Sequence, residues 1–352
     1  MAFFDIRGAC GAAAHMDLAS PNQGDLRDAE RDAAPAVLPA LHIEYRYADA
    51  VPLLREPDVL AVVGFGKSNA SIDHPAYVHV ALEPLTGTAP FEVWRTLGVV
   101  RRERCGEVRC SSDDDYTFAA LEVDEAAHGG IEGAAQHAYA ALAAWCRGSG
   151  RHVLRIWNYL DAINTGGGDD ERYRRFCSGR ARGMDGLFAN GYPAATAIGR
   201  RDGRRVLQLY WLAARIPGVP LENPRQLSAW RYPRRYGPVA PNFARAMRSP
   251  VENTQIYISG TAAIVGHASH HAGDCMAQLD ETLENLHSLI IRHGDARGFA
   301  AHSTLKAYVR HEQDALRVAA RLLERVGTTP LVILQGDICR AELLVEIDGV
   351  HA

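Results

Sequence analysis

Lysine is almost absent: Lys67 and Lys306 stand against 36 arginines, a bias that a GC-rich coding sequence would produce without functional pressure. Long apolar runs are absent as well. The stretches 59–63 and 256–265 are among the longest, far short of the roughly 20 residues of a membrane-spanning helix, so none is expected. The N-terminus MAFFDIRGACGAAAHMDLASPNQ lacks the basic flank and apolar stretch of a secretory signal, and a cytoplasmic location is expected. Seven cysteines are scattered, odd in number and without a CxxC pair; neither a disulfide framework nor a structural zinc site is expected. GxxxxGK[ST], GxGxxG and HExxH are missing, so the GFGK at 64–67 is no P-loop and the GGG at 166–168 reads as a flexible turn. His267, His270 and His271 lie in a loop without a partner motif, and no metal is expected there.

What is present describes an ordinary globular protein of one large or two smaller domains: 352 residues, 47% hydrophobic, 23% charged, net charge −4. The charge is uneven. Residues 151–248 hold 18 arginines against 7 acidic residues, a formal +11 that leaves −15 for the rest. Arginine suits carboxylates and phosphates through bidentate, charge-assisted bonds. The plainer reading is solvated arginine balancing an acidic surface elsewhere. A nucleic-acid binder is the third reading. It would show steep salt dependence, but the pI is about 6.4 and no helix-turn-helix, zinc-finger or RNA-recognition signature occurs.

Residues 1–36, rich in Ala, Asp and Gly without periodicity, read as a loose tail. LHIEYRY from Leu41 alternates as a half-buried strand, and VLAVVGFGK is apolar enough for a buried one. Further strand-like segments at 77–82, 91–94 and 116–123 precede an Ala-rich helix at 133–147. Strand HVLRIWNYL (152–160), a glycine loop, a short Arg-rich helix and strand 206–215 follow, then a long loop with five prolines from Pro217 to Pro238. Its aromatics Trp230, Tyr232, Tyr236 and Phe243 argue that it is ordered. The last hundred residues read β-α-β-α-β-β, with Met276, Leu279, Leu283, Leu286 and Ile290 at helical spacing. Two helices on one face of a mixed sheet would bury that pattern.

This C-terminal pattern, with its ending LLVEIDG, resembles the RidA/YjgF family. Together with LRIWNYLDAIN, ERYRRFCSGRARG, RIPGVPLENPRQLSAWRYPRRYGP and SGTAAIVGH, the chain over about residues 40–350 is similar to the chorismatases. The resemblance implies an α/β (α+β) fold of two RidA-like, chorismate-mutase-like domains: a diverged one at 37–215, a Pro/Arg-rich connecting loop at 216–250, and a second at 251–352. It implies a site between them and cofactor-free chemistry on chorismate, by a monomer or, as in RidA relatives, a homotrimer. It also implies that Glu346 is the catalytic acid and that Cys339, seven residues before it, marks the 3-hydroxybenzoate type. Gly260 points the same way, since dihydrodiol-forming relatives carry Ala at both positions. A chorismatase giving mixed 3- and 4-hydroxybenzoate or the trans-dihydrodiol stays open as the alternative within the family, as does a RidA-like binding module without turnover.

Chorismate is a dicarboxylate with an enolpyruvyl ether, so its enzyme needs cationic anchors and an acid able to protonate the ether's methylene carbon. Such an acid stays protonated near neutral pH only if burial raises its pKa. Glu346 has apolar neighbours, although strand alternation could equally turn it to solvent. Alone, Cys339 would read as a packed thiol. Arg310, at the end of strand LKAYVR, is the first candidate for binding carboxylate, then Arg155, Arg174 and Arg180, with Tyr159 and Tyr210 as hydroxyl donors. The bland alternative for each arginine is a solvent-facing side chain.

Overall fold

The computed structural model describes residues 40–66, 72–251, 255–293, 298–299 and 303–352. The expected tail at 1–36 lies outside them. Residues from Pro39 onward form one compact unit. Among the described residues no helix is long and apolar enough to cross a membrane.

A four-stranded sheet comes first, from β1 (Leu41–Arg46), β2 (Val59–Phe65), β3 (Tyr77–Val80) and β4 (Phe91–Thr96), in the order β1-β4-β2-β3. The one-turn helix α1 (Ala50–Leu53) joins β1 to β2. The second sheet has six strands: β5 (Arg101–Cys105), β6 (Val108–Ser112), β7 (Tyr116–Asp124), β8 (His152–Asp161), β9 (Ala194–Arg200) and β10 (Val206–Ala214). Its order is β5-β6-β7-β10-β8-β9, with helices α2 (Ile131–Ser149) and α3 (Arg172–Met184) before and after β8.

The third sheet repeats that plan. Strands β11 (Val219–Leu221), β12 (Ala246–Arg248) and β13 (Ile256–Ala262) form a meander, followed by a two-residue hairpin, β14 (Ile264–Val265) with β15 (Ala268–Ser269). Then come α4 (Cys275–His293), β16 (Thr304–Val309), α5 (Ala315–Val326), β17 (Leu331–Gln335) and β18 (Val345–His351), in the order β11-β12-β13-β18-β16-β17. In both sheets the last strand slips antiparallel between the third and fourth, and the fourth and fifth pair in parallel.

Helix pairs cover one face of each six-stranded sheet. Leu279, Leu283, Leu286 and Ile290 of α4 and Val318 and Leu322 of α5 bury against Ile258, Ala307, Val345 and Ile347. On the second sheet α2 and α3 approach closely: a Cβ on Gly179 would fall 1.9 Å from the Glu132 carbonyl oxygen, so only glycine fits there. The opposite faces of both sheets join the first sheet in a shared core containing Trp94, Trp157, Tyr159, Tyr210, Tyr257 and Tyr308.

Among the described residues β5, β6, β9, β11, β12 and β15 escaped the sequence reading. β5 (RRERC) is a charged edge strand, while β9 (AATAIGR) has mostly small side chains and little alternation. β11 and β12 are three residues each, within the stretch read as a long loop, too short for a period of two to register.

Candidate active site

Strand alternation decides where Glu346 points. Val345 and Ile347 face the helices of the third sheet, so Glu346 and Asp348 face the other side, toward the second sheet. Glu346 is 4% exposed and lines a cavity of about 380 Å³ walled by β9 (Ala195, Thr196, Ala197), β13 (Gly260, Ala262), α3, the Pro-rich loop and residues 339–342. Desolvation, reinforced by the charge of Asp348 and opposed by Arg155 and Arg245, pushes the Glu346 carboxyl up to about 8.

A bulge in β13 shapes this wall. Pairing with β18 slips between Ile258 and Thr261, which frees Ser259 and Gly260 to bond across to β9. The Ala195 amide donates to Ser259 Oγ (2.9 Å) and the Gly260 amide to Thr196 Oγ1 (2.9 Å). At Gly260 the backbone passes so close to the Glu346 carboxyl that a Cβ there would overlap it. Thr196 in turn donates to Asp348 Oδ2 at 2.8 Å, which also accepts from Trp157 Nε1 (3.1 Å) and Tyr308 (3.0 Å) and pairs with Arg155 (3.2 Å).

Of the residues singled out from the sequence, the cavity brings together Glu346, Cys339, Gly260, Arg174 and Arg180. Cys339 is partly buried, and its surroundings and the neighbouring Glu346 charge push its thiol well up, so it remains a neutral thiol. Arg174 is paired with Glu171 (3.0 Å). Four others lie off the cavity wall. Arg155 is fully buried against Asp348 and Thr196 and beneath the Trp157 ring. The hydroxyl of Tyr159 bonds those of Tyr210 (3.3 Å) and Tyr308 (3.2 Å) inside the shared core, because all three sit on strand faces opposite the helices. Arg310 turns away into the 337–343 loop, where its donors meet Asp337 and Asn164 and the carbonyls of Ile338, Arg340 and Leu343.

Three arginines missed from the sequence line the cavity instead: Arg235, Arg245 and Arg340. Arg340 stacks on Tyr236 at 3.9 Å and bonds the His267 carbonyl and Ser269; Arg245 bonds Tyr232 and the Leu227 carbonyl; Arg235 bonds His267 Nδ1. Among the described residues Arg180, Arg235, Arg245 and Arg340 form no ion pair, and the Nε of Arg180 and of Arg245 is buried without a hydrogen-bond partner. Arg180 and Arg245 are themselves buried, and burying a guanidinium without a close ion-pair partner is costly, so this wall suits an anion. The signal for two of them was the Arg–aromatic interleaving WRYPRRY and NFAR, and for Arg340 its position beside Cys339.

The buried network extends to Lys306, 2% exposed, whose Nζ lies 2.9 Å from Glu92 Oε2 and 3.9 Å from Asp348 Oδ1. Burial alone would depress its pKa; Glu92 and Asp348 outweigh that and hold it above the ordinary value.

A family model described as "Chorismatase FkbO/Hyg5-like, N-terminal" matches residues 92–213. The chain is 35% identical over 318 residues to a 3-hydroxybenzoate synthase of Streptomyces hygroscopicus, covering 83% of this chain and 91% of that protein. It is 37% identical over 275 residues to a chorismatase of the same organism, covering 74% and 79%. A crystal structure of a chorismatase superposes with a TM-score of 0.76 at 32% identity, covering 89% of this chain and 98% of that one.

Proposed function

The chain belongs to the chorismatase family, and on that premise we propose that it converts chorismate to 3-hydroxybenzoate and pyruvate, with Glu346 as the acid. One observation carries this reading: a buried carboxyl raised to about 8 faces a cavity whose arginines include four without a carboxylate partner among the described residues. The volume of about 380 Å³ suits a small ligand, and the unpaired guanidiniums suit the two carboxylates of chorismate.

Glu346 gives its proton to the enolpyruvyl methylene, which becomes the methyl group of pyruvate, and an oxocarbenium ion forms. The neighbouring ring hydroxyl then takes part as pyruvate departs and the ring aromatises. The proton lost from the ring returns Glu346 to its acid form, so the cycle needs no net water and no oxidant. Proton transfer and C–O cleavage are within the reach of a carboxylic acid without a metal or organic cofactor. Cys339, a neutral thiol on the same wall, biases the outcome toward the aromatic product by excluding water or relaying a proton.

The repeated six-stranded plan supports two RidA-like halves, but β11 and β12 of the third sheet lie within the expected linker 216–250, so the second half starts near Val219 rather than at 251. One chain furnishes β9 on one side of the cavity and β13 and β18 on the other, so a monomer suffices for the reaction. The cysteines among the described residues are free thiols, which suits the reducing cytoplasm.

The test is incubation of the purified protein with chorismate and chromatography of the products, beside Glu346→Gln and Cys339→Ala. The expected result is 3-hydroxybenzoate and pyruvate from the wild type, no turnover from Glu346→Gln with binding retained, and a shift toward the dihydrodiol from Cys339→Ala. Chorismate left untouched by the wild type would overturn the proposal in favour of a binding module.

A further inference from the structure

The β5–β6 hairpin carries a second cluster of reactive side chains, on the open edge of the second sheet. Glu103 and Cys105 are two residues apart on β5 and so share a face, and Cys110 on β6 stands directly opposite Glu103. Their ligating atoms all lie within 4.8 Å of one another. Cys105 Sγ is 3.9 Å from Cys110 Sγ, and the Cys110 thiol donates to Glu103 Oε1 at 3.7 Å.

Those separations have a chemical meaning. Around a tetrahedral zinc ion, with Zn–S about 2.3 Å and Zn–O about 2.0–2.2 Å, two sulfurs stand about 3.8 Å apart and a sulfur and an oxygen about 3.5 Å. The hairpin already holds the Cys105–Cys110 and Cys110–Glu103 pairs at nearly these distances, and the third pair within 4.8 Å.

The charges around Glu103 give an independent observation. Three arginines flank it in sequence, yet each is engaged elsewhere: Arg101 with Asp114, Arg104 with Asp73, Arg102 with the carbonyls of Glu56 and Val59. Among the described residues the Glu103 carboxylate has one hydrogen-bond partner, the Cys110 thiol, and no ion pair. A carboxylate in so basic a strand without a cation of its own is matched to one from outside. The cluster opens onto a cavity of about 820 Å³ between the hairpin and α2, lined by Trp145, Glu107 and Ser149, with space for a fourth ligand.

We propose that Glu103, Cys105 and Cys110 form a binding site for a thiophilic divalent cation of the zinc class, separate from the Glu346 cavity. Loading replaces two S–H bonds with two metal–sulfur bonds and releases two protons; no electron is transferred. Thiolate ligation means that the metal displaces the thiol protons as it binds. The open fourth position and the surface location of Cys105 give a site that exchanges its metal, unlike a closed four-ligand structural centre.

The full chain, reduced and freed of chelator, is titrated with cobalt(II) and then zinc(II). One equivalent of cobalt should produce thiolate-to-cobalt charge-transfer absorption, which one equivalent of zinc abolishes. Cys105→Ser and Cys110→Ser should each lose the two-thiolate band. Glu103→Gln should bind on the order of tenfold or more weakly, at least the loss that removing a supporting group causes. Circular dichroism checks that each variant is folded, and Cys105→Ser, being exposed, serves where Cys110→Ser fails that check. Absence of the band in the reduced wild type, or its persistence in Cys105→Ser, would overturn the proposal. So would alkylation mapping that finds Cys105 and Cys110 disulfide-bonded to each other as the resting state.

Discussion

A Cβ built on Gly260 would lie 2.0 Å from Glu346 Oε1 and 2.8 Å from its Cδ. Contacts that short do not persist, so any side chain at 260 must displace the carboxyl, and Thr196 Oγ1 at 3.2 Å closes the other side. Gly260→Ala is therefore expected to leave the fold intact but lower kcat between about tenfold and a hundredfold, the scale of a misplacement near 1 Å. Product analysis should show a larger share of the hydrolytic dihydrodiol. Unchanged kcat and products would mean that Glu346 need not sit where it does.

The raised pKa of Glu346 makes two pH statements. With the acid form required, kcat should be level below an apparent pKa near 8 and fall about tenfold per pH unit above it. The folded state also holds a proton that the unfolded chain releases from about 4.5 upward. Stability is therefore fully present below that pH and declines by about 1.4 kcal/mol per unit until about 8. Glu346→Gln has no proton to lose, and denaturant midpoints measured between pH 5 and 9 should decline less steeply for this variant than for the wild type.

Lys306 and Glu92 form an ion pair in which each side chain is 3% exposed. Removing one partner strands the other charge, so Lys306→Met is expected to cost about 3–5 kcal/mol in urea unfolding. Glu92→Gln added to it should recover part of that loss. A double variant no more stable than Lys306→Met alone would show that Asp348, not Glu92, is the principal partner.

Arg340 stacks on Tyr236 and lines the cavity. Lysine retains the charge but neither the planar fork nor the stacking. Arg340→Lys should raise KM for chorismate about tenfold, roughly one bidentate contact, with a smaller change in kcat. Steady-state kinetics separates the two, and a KM equal to the wild type's would remove Arg340 from the binding site.

Legibility in the sequence followed the strength of the local pattern. The period in α4 and α5 is set by side chains that face one sheet, so both helices and the strands between them were readable. Glu346 was conspicuous as a carboxylate in an apolar strand, but only its register against β13 and β16 turns it inward. Arg310 and Arg155 looked like substrate anchors because a strand-end or mid-strand arginine in a basic segment has no visible partner. Their partners, Asp337 and Asp348, are 27 and 193 positions away in sequence, and no local signal reports such pairs. Arg235 and Arg245 lie in a loop whose course is set by prolines and long-range contacts, beyond the reach of any periodicity.

The Arg310 guanidinium uses all five of its N–H donors on the 337–343 segment and Asn164. Since Cys339 and Arg340 ride on that segment, the rear of the binding wall is clamped before any ligand arrives. Ligand capture then spends little affinity on ordering it, and discrimination at this wall rests on rigid shape rather than on a loop that adapts to its guest.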